Sequence, residues 1–163
     1  MDAAPLLSRV VSALAACDLE AVLIGNAAAA LQGAPVTTLD FDFLFRATPA
    51  NVRKLKRVAD RLGAMILRPY YPASSLYRLV NDEIGLQVDF MPAIHGIRSL
   101  ASLRSRATSV ELAGATLVVA ALDDIIRSKR AAGRPRDAAV LPVLEATRAQ
   151  VKASKTPPRR PRR

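Results

Sequence analysis

The sequence is poor in the residues that build the commonest metal and redox sites. It has one cysteine, Cys17, one histidine, His95, and no tryptophan. A single cysteine excludes an internal disulfide and fits a reducing compartment. With so little Cys and His, zinc coordination is excluded as well. Cys17 itself reads as a small buried apolar residue, and His95 as a loop residue rather than a ligand. No apolar run approaches the roughly 20 residues of a membrane span, and the start Met1-Asp2 lacks the basic opening of a secretory leader. The expectation is a soluble, unprocessed, cytoplasmic protein with no membrane partner. Aromatics are only 4% of the chain, yet 51% is hydrophobic over 163 residues, enough for one domain with a proper core.

Acids are also scarce: 14 against 24 Lys and Arg, for a net charge of +10. The excess is concentrated at the end. Residues 152–163, KASKTPPRRPRR, hold six cations and no acid, which leaves +4 for residues 1–151. Three prolines and little apolar surface predict a disordered basic tail over 152–163, following a domain over 1–151. Such a tail either solubilises the protein or holds a polyanion such as RNA.

What is present alternates between helical and strand periodicity. Residues 5–16 predict an amphipathic helix, 21–25 (AVLIG) a short buried strand, and 26–33 (NAAAALQG) a helix ended by Gly33. Residues 49–62 carry Leu55, Val58, Ala59 and Leu62 on one face of a basic helix. AMILRP, SLYRLV and GLQVDFM read as strands, 96–106 as a helix, and SVELAGATLVVA as a hairpin turning at Ala113-Gly114. Helices over 122–132 and 135–151 close the chain, the second with Pro142 as an expected kink. The fold class expected is α/β (α+β), a mixed β-sheet flanked by helices with C-terminal helices.

Three of the four phenylalanines fall in DFDFLF, residues 40–45. Strict alternation puts Phe41, Phe43 and Phe45 on one strand face and Asp40 and Asp42 on the other, about 7 Å apart along the strand. Paired like charges are tolerated best with a cation between them. Asp89 in GLQVDFMP has the same setting, between Val88 and Phe90. If the two strands are neighbours, three carboxylates converge, an oxygen donor set suited to Mg2+ rather than zinc. Each acid also has an ordinary reading: Asp89 as a solvent-facing strand residue, Asp40 and Asp42 as edge charges that discourage aggregation. Upstream, Gly25-Asn26 ends a strand and opens a helix, a place where free N–H groups suit a phosphate.

Together these residues resemble the nucleotidyltransferase superfamily, which shares its fold with DNA polymerase beta. Gly25-Asn26, thirteen residues, then Asp40-Phe41-Asp42-Phe43 matches the family's spacing, and Asp89 fits its third acid. Asn26 stands where the family has Ser or Gly, and Val36 where an Arg is often found. The segment LDDIIRSKRAAGRPRDAAVLPVLE looks like the AbiEii and MenT-type toxin nucleotidyltransferases, with Lys129, Arg134 and Asp137 at the matching places. The likeness covers about residues 20–146.

The resemblance implies a nucleotidyltransferase fold and an NTP-dependent enzyme that releases pyrophosphate. Asp40 and Asp42 would ligate both of two Mg2+ (or Mn2+) ions, and Asp89 the ion that activates the acceptor hydroxyl. Gly25, Asn26 and Arg134 would bind nucleotide, with Lys129 against the phosphates. Asp137 would be catalytic or orient Lys129; its ordinary reading is an acid favoured in the first turn of a helix. The implied acceptor is RNA, at the 3′ end of tRNA, and the implied partner a cognate antitoxin. Transfer to a protein or small molecule, or a non-catalytic RNA-binding module with this fold, are the alternatives.

Overall fold

The computed structural model describes residues 3–38 and 40–156. Apolar stretches of four to six residues, rich in Val, Leu, Ile and Phe, form the central strands, and the longer amphipathic stretches form helices. In chain order the elements are α1 (Ala4–Ala16), β1 (Ala21–Ile24), α2 (Gly25–Ala30), β2 (Phe41–Phe45), α3 (Pro49–Arg61), β3 (Met65–Leu67), β4 (Tyr77–Asn81), β5 (Leu86–Met91), α4 (Leu100–Arg106), β6 (Thr108–Leu112), β7 (Ala115–Val119), α5 (Leu122–Ala132) and α6 (Pro135–Lys155).

The seven strands form one mixed sheet in the order β3-β4-β5-β2-β1-β7-β6. β2 lies at its centre, parallel to β5 and antiparallel to β1; β1 is parallel to β7, and β3-β4-β5 and β6-β7 are antiparallel. The fold is α/β (α+β), with helices packed on the sheet: α1 meets β7 and α3, α4 meets β1, and α5 joins α2 to α6.

Register explains the core. Opposed residues share a face, so Phe41 lies with Val88 and Leu79, and Phe43 with Phe90 and Tyr77. Phe43 stacks on Phe90 at 5.2 Å, and Phe45 meets Phe90 and Tyr77 edge-on. Phe43, Phe45, Phe90 and Tyr77 thus form one cluster, where a ring pair adds about 0.5–1.5 kcal/mol beyond its burial. In α3, Leu55, Val58, Ala59 and the following Leu62 are buried as the helical spacing requires, and Cys17 is free and buried.

Several boundaries differ from the sequence expectation. Asp40 is outside β2: its N–H is bonded to Thr38 Oγ1, and that hydroxyl donates to the Asp40 carbonyl, so a local turn takes the groups a ladder would use. The face opposite the phenylalanines is not polar throughout either, since Leu44 is buried on it. α2 ends at Ala30, and a turn carries the chain to Gly33. α4 starts only at Leu100, because Ser99 caps it by accepting from the Ser102 N–H, and residues 96–99 stay outside it.

α6 passes through Pro142 and runs on to Lys155, so the expected tail is helical over its first four residues. The rest of the expected tail, 157–163, lies outside the described residues. Among the described residues no helix is long and apolar enough to cross a membrane.

Candidate active site

The sheet's face opposite the phenylalanine cluster carries one polar row. Asp42 is paired in register with Ile24 on β1 and Asp89 on β5, and Asp89 with Arg78 on β4. The row therefore reads Arg78, Asp89, Asp42, Ile24 across four strands, with neighbouring strands about 4.8 Å apart. It opens into a cleft of about 830 Å³ that also gathers Gly25, Asn26, Asp40, Lys129, Arg134 and Asp137. Residues separated by more than a hundred positions are thus brought to one place, and every site residue expected from the sequence lies on its wall.

Gly25 is there for a steric reason. Its φ is +70°, and a Cβ on it would stand 2.8 Å from Asp42 Oδ2. The left-handed backbone and the missing side chain together let β1 turn into α2 directly over the carboxylate. Asn26 does not cap that helix; Ile24 occupies the cap position without a side-chain bond. Instead Asn26 Oδ1 is buried with no hydrogen-bond partner among the described residues. An orphaned acceptor calls for a donor, such as a ligand hydroxyl or a water, rather than for a phosphate oxygen. A phosphate contact from Asn26 would have to use its Nδ2 or its backbone N–H.

Charge is unevenly compensated in the cleft. Asp42 is pushed up from 3.8 to about 6, first by burial, then by the neighbouring Asp89 and Asp40 carboxylates; Lys129 and Arg136 pull it down only in part. Asp89 is 7% exposed and is held by Arg78 in a fork, Nε to Oδ1 at 2.8 Å and Nη2 to Oδ2 at 2.9 Å. On the far wall, Lys129 Nζ lies 3.3 Å from Asp137 Oδ1, and Arg134 Nε donates to Asp137 Oδ2 at 2.6 Å. Burial alone would raise the Asp137 carboxyl, but these hydrogen bonds and charges outweigh it and hold it below the usual range.

The donor chemistry fits a hard divalent cation at Asp40 and Asp42, since the groups are oxygen-only and Asp42 is under-neutralised. It does not extend to the expected set of three. Each oxygen of Asp89 accepts a hydrogen bond from Arg78, so its charge is met by the chain itself, and among the described residues no three His, Cys, Asp or Glu side chains form a metal-binding group.

Two cations at the cleft escape sequence reasoning. Arg78 sits in SLYRLV between Tyr77 and Leu79, and its partner is set by the β4-β5 register. Alternation in that stretch is the one signal that could have put it on the acid face. Arg136 acts on Asp42 from the start of α6, two residues from the Arg134 picked out in the sequence. His95 is exposed on the cleft wall, in a loop as expected.

No family model matches the chain, and no curated protein does. Solved structures do. The lincosamide antibiotic adenylyltransferase LnuA, with lincomycin bound, superposes with a TM-score of 0.62 at 11% identity, over 86% of this chain and 95% of its own. A candidate nucleotidyltransferase of Thermotoga maritima, TM1012, gives 0.61 at 20% identity, over 91% and 92%. ANT(2")-Ia in complex with adenylyl-2"-tobramycin gives 0.60 at 14% identity, over 94% and 98%. The fold is that of the nucleotidyltransferases.

Proposed function

We propose that the protein is a divalent-metal-dependent nucleotidyltransferase, which joins a nucleoside monophosphate from an NTP to an acceptor hydroxyl and releases pyrophosphate. The observation that carries this reading is the row Asp89-Asp42 beneath Gly25, in a cleft whose opposite wall holds Lys129 on Asp137. Asp40 and Asp42 would hold Mg2+ or Mn2+, which when bound offsets charge on the reacting phosphate. Gly25 leaves room over Asp42 for a phosphate chain to approach. Asp137 fixes the Lys129 ammonium at the cleft wall as a point charge for that chain. Arg134 shares the same carboxylate, and Arg136 adds a further cation beside it. Asp89 would join Asp40 and Asp42 as the third acid only once released from Arg78.

RNA is the acceptor we favour, at the 3′ end of tRNA, in a toxin-type enzyme with a cognate antitoxin and a cytoplasmic setting. The net charge of +10 and the basic outer face of α3 support a polyanionic acceptor. A small-molecule acceptor is the second reading, supported by the likeness in fold to two antibiotic adenylyltransferases.

One assay tests both. Labelled ATP, CTP, GTP and UTP are offered separately with Mg2+ and either total RNA or lincomycin and tobramycin, and products are resolved by gel and chromatography. Label in RNA supports the favoured reading, and label in an antibiotic supports the second. No labelled product under any condition overturns transfer to these acceptor classes.

A further inference from the structure

The pairing of Arg78 with Asp89 has the form of a filled ligand site. The fork is bidentate, at 2.8 and 2.9 Å, and the two side chains are only 29% and 10% exposed. It is not a chance surface contact, because antiparallel pairing of β4 and β5 places the two residues directly opposite each other. A charged fork in such partly desolvated surroundings is among the stronger side-chain interactions. Next along the row, Asp42 has no such fork on its carboxylate among the described residues. One carboxylate of the row is thus neutralised by the chain itself, and its neighbour is left for an added ion.

We propose that the Arg78 guanidinium stands in the place of a cation at Asp89. In this state the site takes one divalent ion, on Asp40 and Asp42, and Asp89 becomes a ligand only when Arg78 lets go. The inference rests on the proposed metal-dependent transfer, but it concerns ion binding alone and is testable without nucleotide or acceptor. Arg78 acts here as a positioning residue that decides how many ions the acids hold.

The test is Mn2+ binding to the full chain, read by electron paramagnetic resonance of free Mn2+ and by the Mn2+-induced shift in melting temperature. With Arg78 in place, Asp89→Asn should leave Mn2+ affinity nearly unchanged, whereas Asp42→Asn should abolish it. Arg78→Gln frees Asp89 and removes a repelling charge, so affinity should rise on the order of tenfold, the smaller end of what one neighbouring charge does to a carboxylate. In the Arg78→Gln background, Asp89→Asn should cancel that gain. Arg78→Gln leaves a buried carboxylate without its counter-charge and so lowers the metal-free melting temperature. Mn2+ should then raise that temperature more than it does in the unaltered chain. Arg78→Lys keeps the charge without the fork and should fall between the two, which guards against a variant that folds poorly.

Asp89→Asn weakening Mn2+ equally with and without Arg78 would overturn the proposal alone, and so would an unchanged affinity in Arg78→Gln. Absence of Mn2+ binding in every protein, the unaltered chain included, would overturn the metal assignment of the proposed function as well.

Discussion

Asp42 and Asp137 are carboxylates on opposite walls of one cleft, and they have opposite electrostatic fates. Asp42 is pushed up to about 6, first by burial and then by the two acids beside it. Asp137 has Lys129 and Arg134 on its oxygens, and their hydrogen bonds and charges outweigh its burial and hold it below the usual range. Burial raises both carboxyls; what separates them is that cations bond to Asp137 while further acids crowd Asp42. An acid already saturated by the chain has a structural or orienting task, and an acid left under-neutralised is where an external cation gains most. One carboxylate carries Lys129 and Arg134, and the other has no cation hydrogen-bonded to it among the described residues.

The sharpest way to break the comparison is Asp42→Asn. Transfer should fall about a thousandfold or more, on the several-kcal/mol scale of metal-ion charge stabilisation. Without metal the same change should raise stability at neutral pH. A carboxyl raised from 3.8 to about 6 stabilises the fold while protonated, fully below its unfolded pKa, and that contribution is lost as pH rises through about 6. The ionised group then costs on the order of 3 kcal/mol at pH 7.5, which asparagine avoids. Melts in chelator should show the variant ahead at pH 7.5, with the gap closing toward pH 4. A variant that melts lower than the unaltered chain at pH 7.5 would contradict this assignment.

Lys129→Ala tests the other wall. If Lys129 contacts phosphates, nucleotide affinity should fall about ten- to a hundredfold, the value of a charge-assisted bond, with RNA affinity unchanged. Nucleotide titration and RNA gel shift together check this; equal loss in both would assign Lys129 to the acceptor instead.

Asp137→Asn should do the reverse of Asp42→Asn. It strands two cations and should cost about 2 kcal/mol at pH 7, less than a fully buried pair because Arg134 is half-exposed. A lowered carboxyl contributes stability above its unfolded pKa, lost as pH falls through its folded value. The deficit should therefore vanish in strong acid, which denaturant titrations across pH 2–7 would reveal.

The smallest effect is expected from Gly25→Ala, about 1–2 kcal/mol from the positive φ and the close approach to Asp42. In an Asp42→Ala background the steric part should disappear and only the backbone cost remain, a non-additivity that a double-mutant cycle measures.

The sequence makes much of this legible where information is local. Alternation in FDFLF and LQVDFM is enough to put Asp42 and Asp89 on one face, and pairing of β2 with β5 aligns them in register. Asp40 was expected in the same strand because alternation extends back through it; the Thr38 turn that excludes it competes for the same backbone groups and leaves no mark on periodicity. The Arg78 fork was hidden for a different reason, since it depends on which residues of two strands face each other. The end of α6 was placed too early because charge composition changes at Lys152, while the first true helix breaker is Pro157 and the residue before it, Thr156, is already extended with ψ 120°.

The stacked rings of Phe43 and Phe90 have a bearing on how the acids bind. Each ring belongs to the residue next in chain to Asp42 or Asp89, and the two meet at 5.2 Å with planes 12° apart on the reverse of the sheet. The carboxylates thus stand on a floor whose backbone has little freedom left to lose. A ligand arriving at the row orders few bonds, so association there should carry a small conformational-entropy penalty. Thinning that floor by Phe90→Leu should leave the heat of Mn2+ binding nearly constant and make its entropy less favourable, a signature that calorimetry separates from simple loss of a ligand.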